Sequence, residues 1–180
     1  SATATAATIR FIADASSNTV QNCTIKGAET GAASGTIVIS TGTATGNVSD
    51  VISANTITSS GANLPTNAIY SAGTSAAIAN TASIANNNIQ DYFNATAASN
   101  GIFVASNSTA WTITGNKMFQ TAARNSTAAV SHRAINIVTA AGGGYTISSN
   151  TIGYSSSSAT GTTVYTNTAA AIRFFAIELT

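Results

Sequence analysis

Charge is what this 180-residue sequence lacks most: six Lys and Arg, five Asp and Glu and one His leave a net charge of +1. With 6% charged residues there is neither a basic patch for nucleic acid nor an acidic tail. Cysteine is scarcer still. A single Cys excludes an internal disulfide framework, and Cys23 with His132 alone cannot build a zinc site. Leu, Glu and Lys occur twice each, so the strong helix formers other than Ala are nearly missing. Pro65 is the only proline and Asn-Gly or Asp-Gly pairs are few, which argues against a stack of tight hairpins. A long apolar run is missing as well. The uncharged stretch from Val51 to Gln90 is studded with Asn, Ser and Thr, so no membrane insertion is expected. Ser1 opens no basic and apolar leader, so an export signal would lie outside this sequence.

What is present is small and polar. Ser, Thr and Asn supply 71 residues and Ala 36, while Ile, Leu, Val, Met and Phe supply 36, enough for a narrow core and too many for a disordered chain. The wealth of β-branched residues and Gly predicts an all-β chain, and the shortage of hairpin signals favours parallel strands joined by bends.

A six-residue pattern, apolar-x-x-Asn-x-apolar, recurs at Ile52 to Ile57 (ISANTI), Ile84 to Ile89 (IANNNI), Ile113 to Met118 (ITGNKM) and Ile147 to Ile152 (ISSNTI). Val20 to Ile25 (VQNCTI) is a fifth copy with Cys in place of Asn. The corner positions Cys23, Asn55, Asn87, Asn116 and Asn150 are 32, 32, 29 and 34 residues apart. All ten flanking positions are apolar. Between the copies lie short strands at Thr36 to Ser40, Ala68 to Ser71, Gly101 to Ala105 and Ala134 to Val138, with Ile9 to Ala13 and Ile172 to Ala176 at the two ends. Each repeat thus offers one strand, a connection, and two short strands bent at the corner. The expected structure is a single coiled domain over residues 1–180, of about five coils. The corner residue is expected to adopt the left-handed conformation that Asn tolerates, and stacked amides about 4.8 Å apart can hydrogen-bond up the column.

The runs GIFVASNSTAWTITGNKM and AINIVTAAGGGYTISSNTI resemble the parallel β-helix repeat of pectate-lyase-like proteins, over about residues 8 to 177. The resemblance implies a right-handed solenoid, which the handedness of parallel crossovers also favours. That fold serves lyases, glycosidases, phage tailspikes and surface adhesins. The Ser/Thr/Asn/Ala-rich, charge-poor style looks most like very long secreted β-helix proteins of bacterial surfaces.

Glycan-cleaving chemistry on such a fold needs paired carboxylates, or carboxylates holding calcium beside a basic residue. The supply is Asp14, Glu29, Asp50, Asp91 and Glu178, and no two share a register position counted from the corner. No catalytic, cofactor or metal residue is therefore assigned. His132 and Arg133 read as a solvated strand entrance and Cys23 as a small buried hydrophobe. Trp111 and Tyr145, both five residues before a corner Asn, share parity with Ile113 and Ile147 and read as interior rings. Tyr92, Phe93 and Tyr154 read as candidates for an exposed patch. Ice binding would need an unbroken Thr column, and the positions one and three after the corner break it with Asn88, Lys117, Gln90 and Phe119.

The last strand carries Ile172 and Phe174 with one parity and Phe175, Ile177 and Leu179 with the other, so both faces are apolar and suited to burial. Ile9-Arg10-Phe11 returns as Ile172-Arg173-Phe174, as though a next copy began there. The expectation is an extracellular structural or adhesive segment that joins copies of itself end to end, with surface glycans as a further partner. The alternatives are a carbohydrate-active β-helix protein and an ice-binding protein.

Overall fold

The computed structural model describes residues 7–138, 142–167 and 171–180. The chain winds as a parallel β-solenoid, and every strand pairing is parallel. Three sheets run along the stack. The first holds β1 (Ile9–Phe11), β4 (Ile37–Ile39), β7 (Asn67–Ser71), β10 (Ser99–Val104), β14 (Ser131–Ile137) and β18 (Arg173–Leu179). The second holds β2 (Thr19–Gln21), β5 (Asp50–Ser53), β8 (Ala82–Ala85), β11 (Thr112–Thr114) and β15 (Thr146–Ser148). The third holds β3 (Thr24–Gly27), β6 (Thr56–Ser59), β9 (Asn88–Gln90), β12 (Lys117–Phe119) and β16 (Thr151–Ile152). A two-stranded sheet of β13 (Arg124–Ser126) and β17 (Tyr165–Asn167) flanks the later coils. Five strands are climbed in four steps, so the second and third sheets rise through about four turns, slightly fewer than the five coils expected.

The register turns the sequence repeat into columns. Val20, Ile52, Ile84, Ile113 and Ile147 stack in the second sheet, and Ile25, Ile57, Ile89, Met118 and Ile152 in the third. The first sheet aligns Ile9, Ile37, Ile69, Ile102, Ile135 and Ile177. Side chains of the inner coils in these columns are wholly buried, and burying each is worth roughly 1.5 to 3 kcal/mol before entropy is subtracted.

The corner column forms as expected, with its hydrogen bonds running one way. Asn55, Asn87 and Asn116 each donate their backbone N–H to the Oδ1 of the next corner Asn, at 2.9, 3.0 and 3.0 Å, and Cys23 donates likewise to Asn55 at 2.9 Å. The Nδ2 of each of the same three Asn residues also reaches that Oδ1, at 3.1, 2.9 and 3.0 Å. Its second hydrogen goes back to a carbonyl of the preceding coil, that of Val20, Ile52 or Ile84. The left-handed residue is not the Asn. It is the residue before it: Asn22, Ala54, Asn86, Gly115 and Ser149 have φ of 57°, 54°, 57°, 67° and 55°. The corner Asn is thus selected for its side-chain amide, while the bend itself tolerates Ala and Ser in a conformation that favours Gly.

Cys23 is exposed rather than buried, because among the described residues no coil of the column lies below it, and its Sγ turns to the Gln21 carbonyl. A further expectation fails on register. The sheet equates Ile9 with Ile177 and Phe11 with Leu179, not with Ile172 and Phe174, so the Ile-Arg-Phe echo does not mark equivalent positions.

Replacing Asn87 by Leu removes the acceptor for two Asn55 donors, one of the two donors to the Asn116 Oδ1 and the Nδ2 donor to the Ile52 carbonyl, all near the core. The expected loss is about 3 kcal/mol or more in urea unfolding, whereas Cys23→Ala at the open end should change stability by less than about 0.5 kcal/mol.

Candidate functional site

Four of the five acidic residues are spent on ties between coils. Asp14 sits under the turn 43–46, where its carboxylate accepts the N–H groups of Thr43, Ala44, Thr45 and Gly46 at 2.9, 3.0, 3.1 and 2.9 Å. The Thr43 hydroxyl and then these amides hold its carboxyl well below the usual carboxylate range. Asp50 is fully buried, and its Oδ1 accepts both the backbone N–H and the Nδ2 of Asn18 at 3.0 Å. Its Oδ2 has no partner, and burial pushes its pKa up against the effect of the Asn18 bonds. Asp91 pairs with Arg124 and accepts the Thr121 N–H at 2.9 Å, and Arg124 Nε donates to Gln120 Oε1 at 2.7 Å. Glu178 pairs with Arg133. Glu29 accepts the Ala28 N–H. Among the described residues, no three of His, Cys, Asp and Glu gather as metal ligands.

His132 is buried, contrary to the solvated strand entrance expected of it, at 1% exposure. It packs against the rings of Phe93 and Tyr165, with centroids 4.8 and 5.6 Å away and those two rings 6.2 Å from each other, and Phe174 stacks on Tyr165 at 5.1 Å. Its Nδ1 meets the Ser99 hydroxyl at 2.6 Å, while Nε2 has no partner. Burial, and secondarily Arg133, lower its pKa to about 4, so it is neutral at pH 7. Ser99 is buried too, and the pair is closed to a substrate.

The aromatic expectations divide. Trp111 is fully buried and donates Nε1–H to the Asn80 carbonyl at 3.1 Å, and Tyr145 packs against the core with its hydroxyl on the Ser108 carbonyl. Tyr92 and Phe93 are buried, not exposed: Tyr92 joins the main core, and Phe93 packs on His132 and on Tyr165 of β17; Tyr154 alone of that trio is exposed. The column Thr24, Thr56, Asn88, Lys117 and Thr151 is aligned and broken as the sequence has it.

Two more Asn ladders escaped the sequence reading. Asn47 donates N–H and Nδ2 to Asn80 Oδ1 at 3.1 and 3.2 Å, and Asn136 and Asn100 pass Nδ2 to Asn100 and Asn67 Oδ1 at 3.1 and 2.7 Å. The spacing of 33 residues from Asn47 to Asn80 and from Asn67 to Asn100 was the available signal. The second sheet also presents outward columns of small residues, Thr19, Val51, Ser83, Thr112 and Thr146 beside Gln21, Ser53, Ala85, Thr114 and Ser148. A shallow groove of about 290 Å³ at its edge is lined by Ser49, Thr81, Ser83 and Thr112.

The surface that stands apart is the C-terminal end of the stack. Phe174, Ile177 and Leu179 of β18 are 41%, 44% and 62% exposed, whereas Ile135 and Ile137 one strand below are buried. Ile172 and Phe175 are half-buried, and the Arg133 guanidinium lies 5.6 Å from the Phe175 ring centre. The first sheet therefore ends one strand higher than the other two, which stop at β15 and β16.

Between pH 6.5 and about 4 the unfolded chain binds a proton that folded His132 refuses, so stability should fall across that window and level off, for this group, below it. Below about pH 4 the stabilisation from Asp14 declines in turn, because the unfolded carboxyl takes up a proton that the folded one refuses. Denaturant unfolding at pH 7, 5 and 4 should show the upper slope, and His132→Phe should abolish it. Asp91→Ala, which leaves Arg124 half-buried and unpaired, should cost about 2 to 4 kcal/mol.

No protein-family profile, no curated protein and no solved structure matches this chain.

Proposed function

We propose that the chain is a structural or adhesive segment of an extracellular β-solenoid, extended at its C-terminal end by further coils of its own kind, as tandem copies or by self-association. The observation that carries this reading is the apolar last strand, with Ile177 and Leu179 exposed directly above the buried Ile135 and Ile137. An edge strand with unpaired backbone groups and exposed apolar side chains is a template for strand addition. In the register of the first sheet, β1 of a following copy would lay Ile9 on Ile177, Phe11 on Leu179 and Arg10 beside Glu178, matching apolar to apolar and cation to anion.

Composition supports the same role. Low charge, small polar side chains and few Lys or Arg sites suit a durable exposed fibre, and the repeat's resemblance to pectate-lyase-like solenoids and to long bacterial surface proteins points to a secreted setting. The acidic residues support it from another side, because Asp14, Asp50, Asp91 and Glu178 are each engaged with a neighbouring turn or coil instead of facing a partner acid across a cleft.

Sedimentation and electron microscopy of the purified chain should show concentration-dependent end-to-end association, reduced at least tenfold by joint Ile177→Lys and Leu179→Lys substitution. A wild-type chain that stays monomeric and turns over a pectin, alginate or related glycan would replace this reading with the carbohydrate-active one.

A further inference from the structure

Because the first sheet holds six strands and the other two five, the C-terminal end is a step, with β18 as its riser and β15, Asn150 and β16 as its tread. The tread is incompletely covered: Tyr145, Ile147 and Ile152 are only partly buried, while Trp111, Ile113 and Met118 one coil below are sealed. It is also unsatisfied in a directional way. Each corner Asn from Asn55 to Asn116 sends its N–H and one Nδ2 hydrogen up to the next Oδ1, and the other Nδ2 hydrogen back to the coil below. Asn150 makes the backward bond, to the Ile113 carbonyl at 2.8 Å, and among the described residues its two upward donors have no acceptor.

We infer that this step is a docking site for one strand-bend-strand segment of the form apolar-x-x-Asn-x-apolar, whose corner Asn accepts the Asn150 donors and whose two apolar side chains cover Ile147 and Ile152. This rests on the solenoid-extension reading and specifies what fits beside the β18 contact. The donors say what the occupant is. Any carbonyl oxygen has two lone pairs, and on every Asn rung below the one that takes both donors is the Oδ1 of the next corner Asn. The first coil of a second copy is the wrong occupant for two reasons. Its corner residue is Cys23, whose sulfur is a weak acceptor, and seated in phase it would bring β1 to the edge of β14, which β18 already fills. Copies joined through β1 and β18 instead leave the second and third sheets one strand short at the joint, which is the space this segment fills.

The test varies the partner and leaves the full chain intact. A fluorescently labelled peptide with the sequence of residues 111–119 is titrated with the chain, alongside the same peptide carrying Asn116→Leu and one carrying Ile113→Asp. The unaltered peptide should bind, Asn116→Leu should weaken binding about tenfold or more, and Ile113→Asp should weaken it at least as far, since two donors or one apolar contact go unanswered. Hydrogen exchange gives the location: the Asn150 amide should exchange freely in the chain alone and slow on peptide binding. Equal binding of the Asn116→Leu peptide, binding that leaves the Asn150 amide unprotected, or no binding of any peptide would overturn the inference. The solenoid-extension reading would survive each of these so long as the chain still associates through β18. Glycan turnover by a monomeric chain would end that reading without affecting the peptide result.

Discussion

Everything in this solenoid depends on a side-chain amide that can donate in two directions and accept from a third. A bend between two short parallel strands leaves a backbone N–H and a carbonyl facing the interior, where each unmet group costs about 1 to 3 kcal/mol. Asn at the corner meets both: its Nδ2 returns to the carbonyl three residues before the corner of the coil below, and its Oδ1 receives the N–H of that coil's own corner. One residue type, repeated once per turn, thus lets a chain with very little charge and few large apolar residues bend inside its own core.

The ladder has ends, and the sequence treats them differently. At the lower end Cys23 supplies the one thing required there, a backbone N–H for Asn55, and brings no amide that would go unmet. At the upper end Asn150 keeps the full donor set of an inner rung. The ladder through Asn67, Asn100 and Asn136 behaves similarly: Asn136 is buried with its Oδ1 unpartnered, because the residue in register above it is Glu178, which when ionised has no hydrogen to give. Hydrogen-bond polarity and exposed apolar surface therefore coincide at the same face.

Chemistry-bearing groups follow the same economy. Asp91 with Arg124, and Glu178 with Arg133, fasten adjacent turns, and Asp14 neutralises four convergent amides of a turn. His132 is the extreme case, a titratable ring packed into a cluster of aromatic rings and kept neutral by its burial there.

The sequence by itself determined the parallel solenoid, the corner column and the two apolar columns beside it, because all three repeat at nearly constant spacing and each repeat meets only its neighbours. It did not determine which residue of the bend turns left-handed, since side-chain chemistry draws the eye to the Asn while the backbone strain falls one residue earlier. Nor did it reveal the Asp91 pairing with Arg124, the burial of His132, or that Ile177 and not Ile172 continues the column of Ile9. Those were decided only by the tertiary structure. The connections between corner and first-sheet strand differ in length from coil to coil, so counting from the corner places the residues of one coil but cannot say which loop residues of the next coil lie against them.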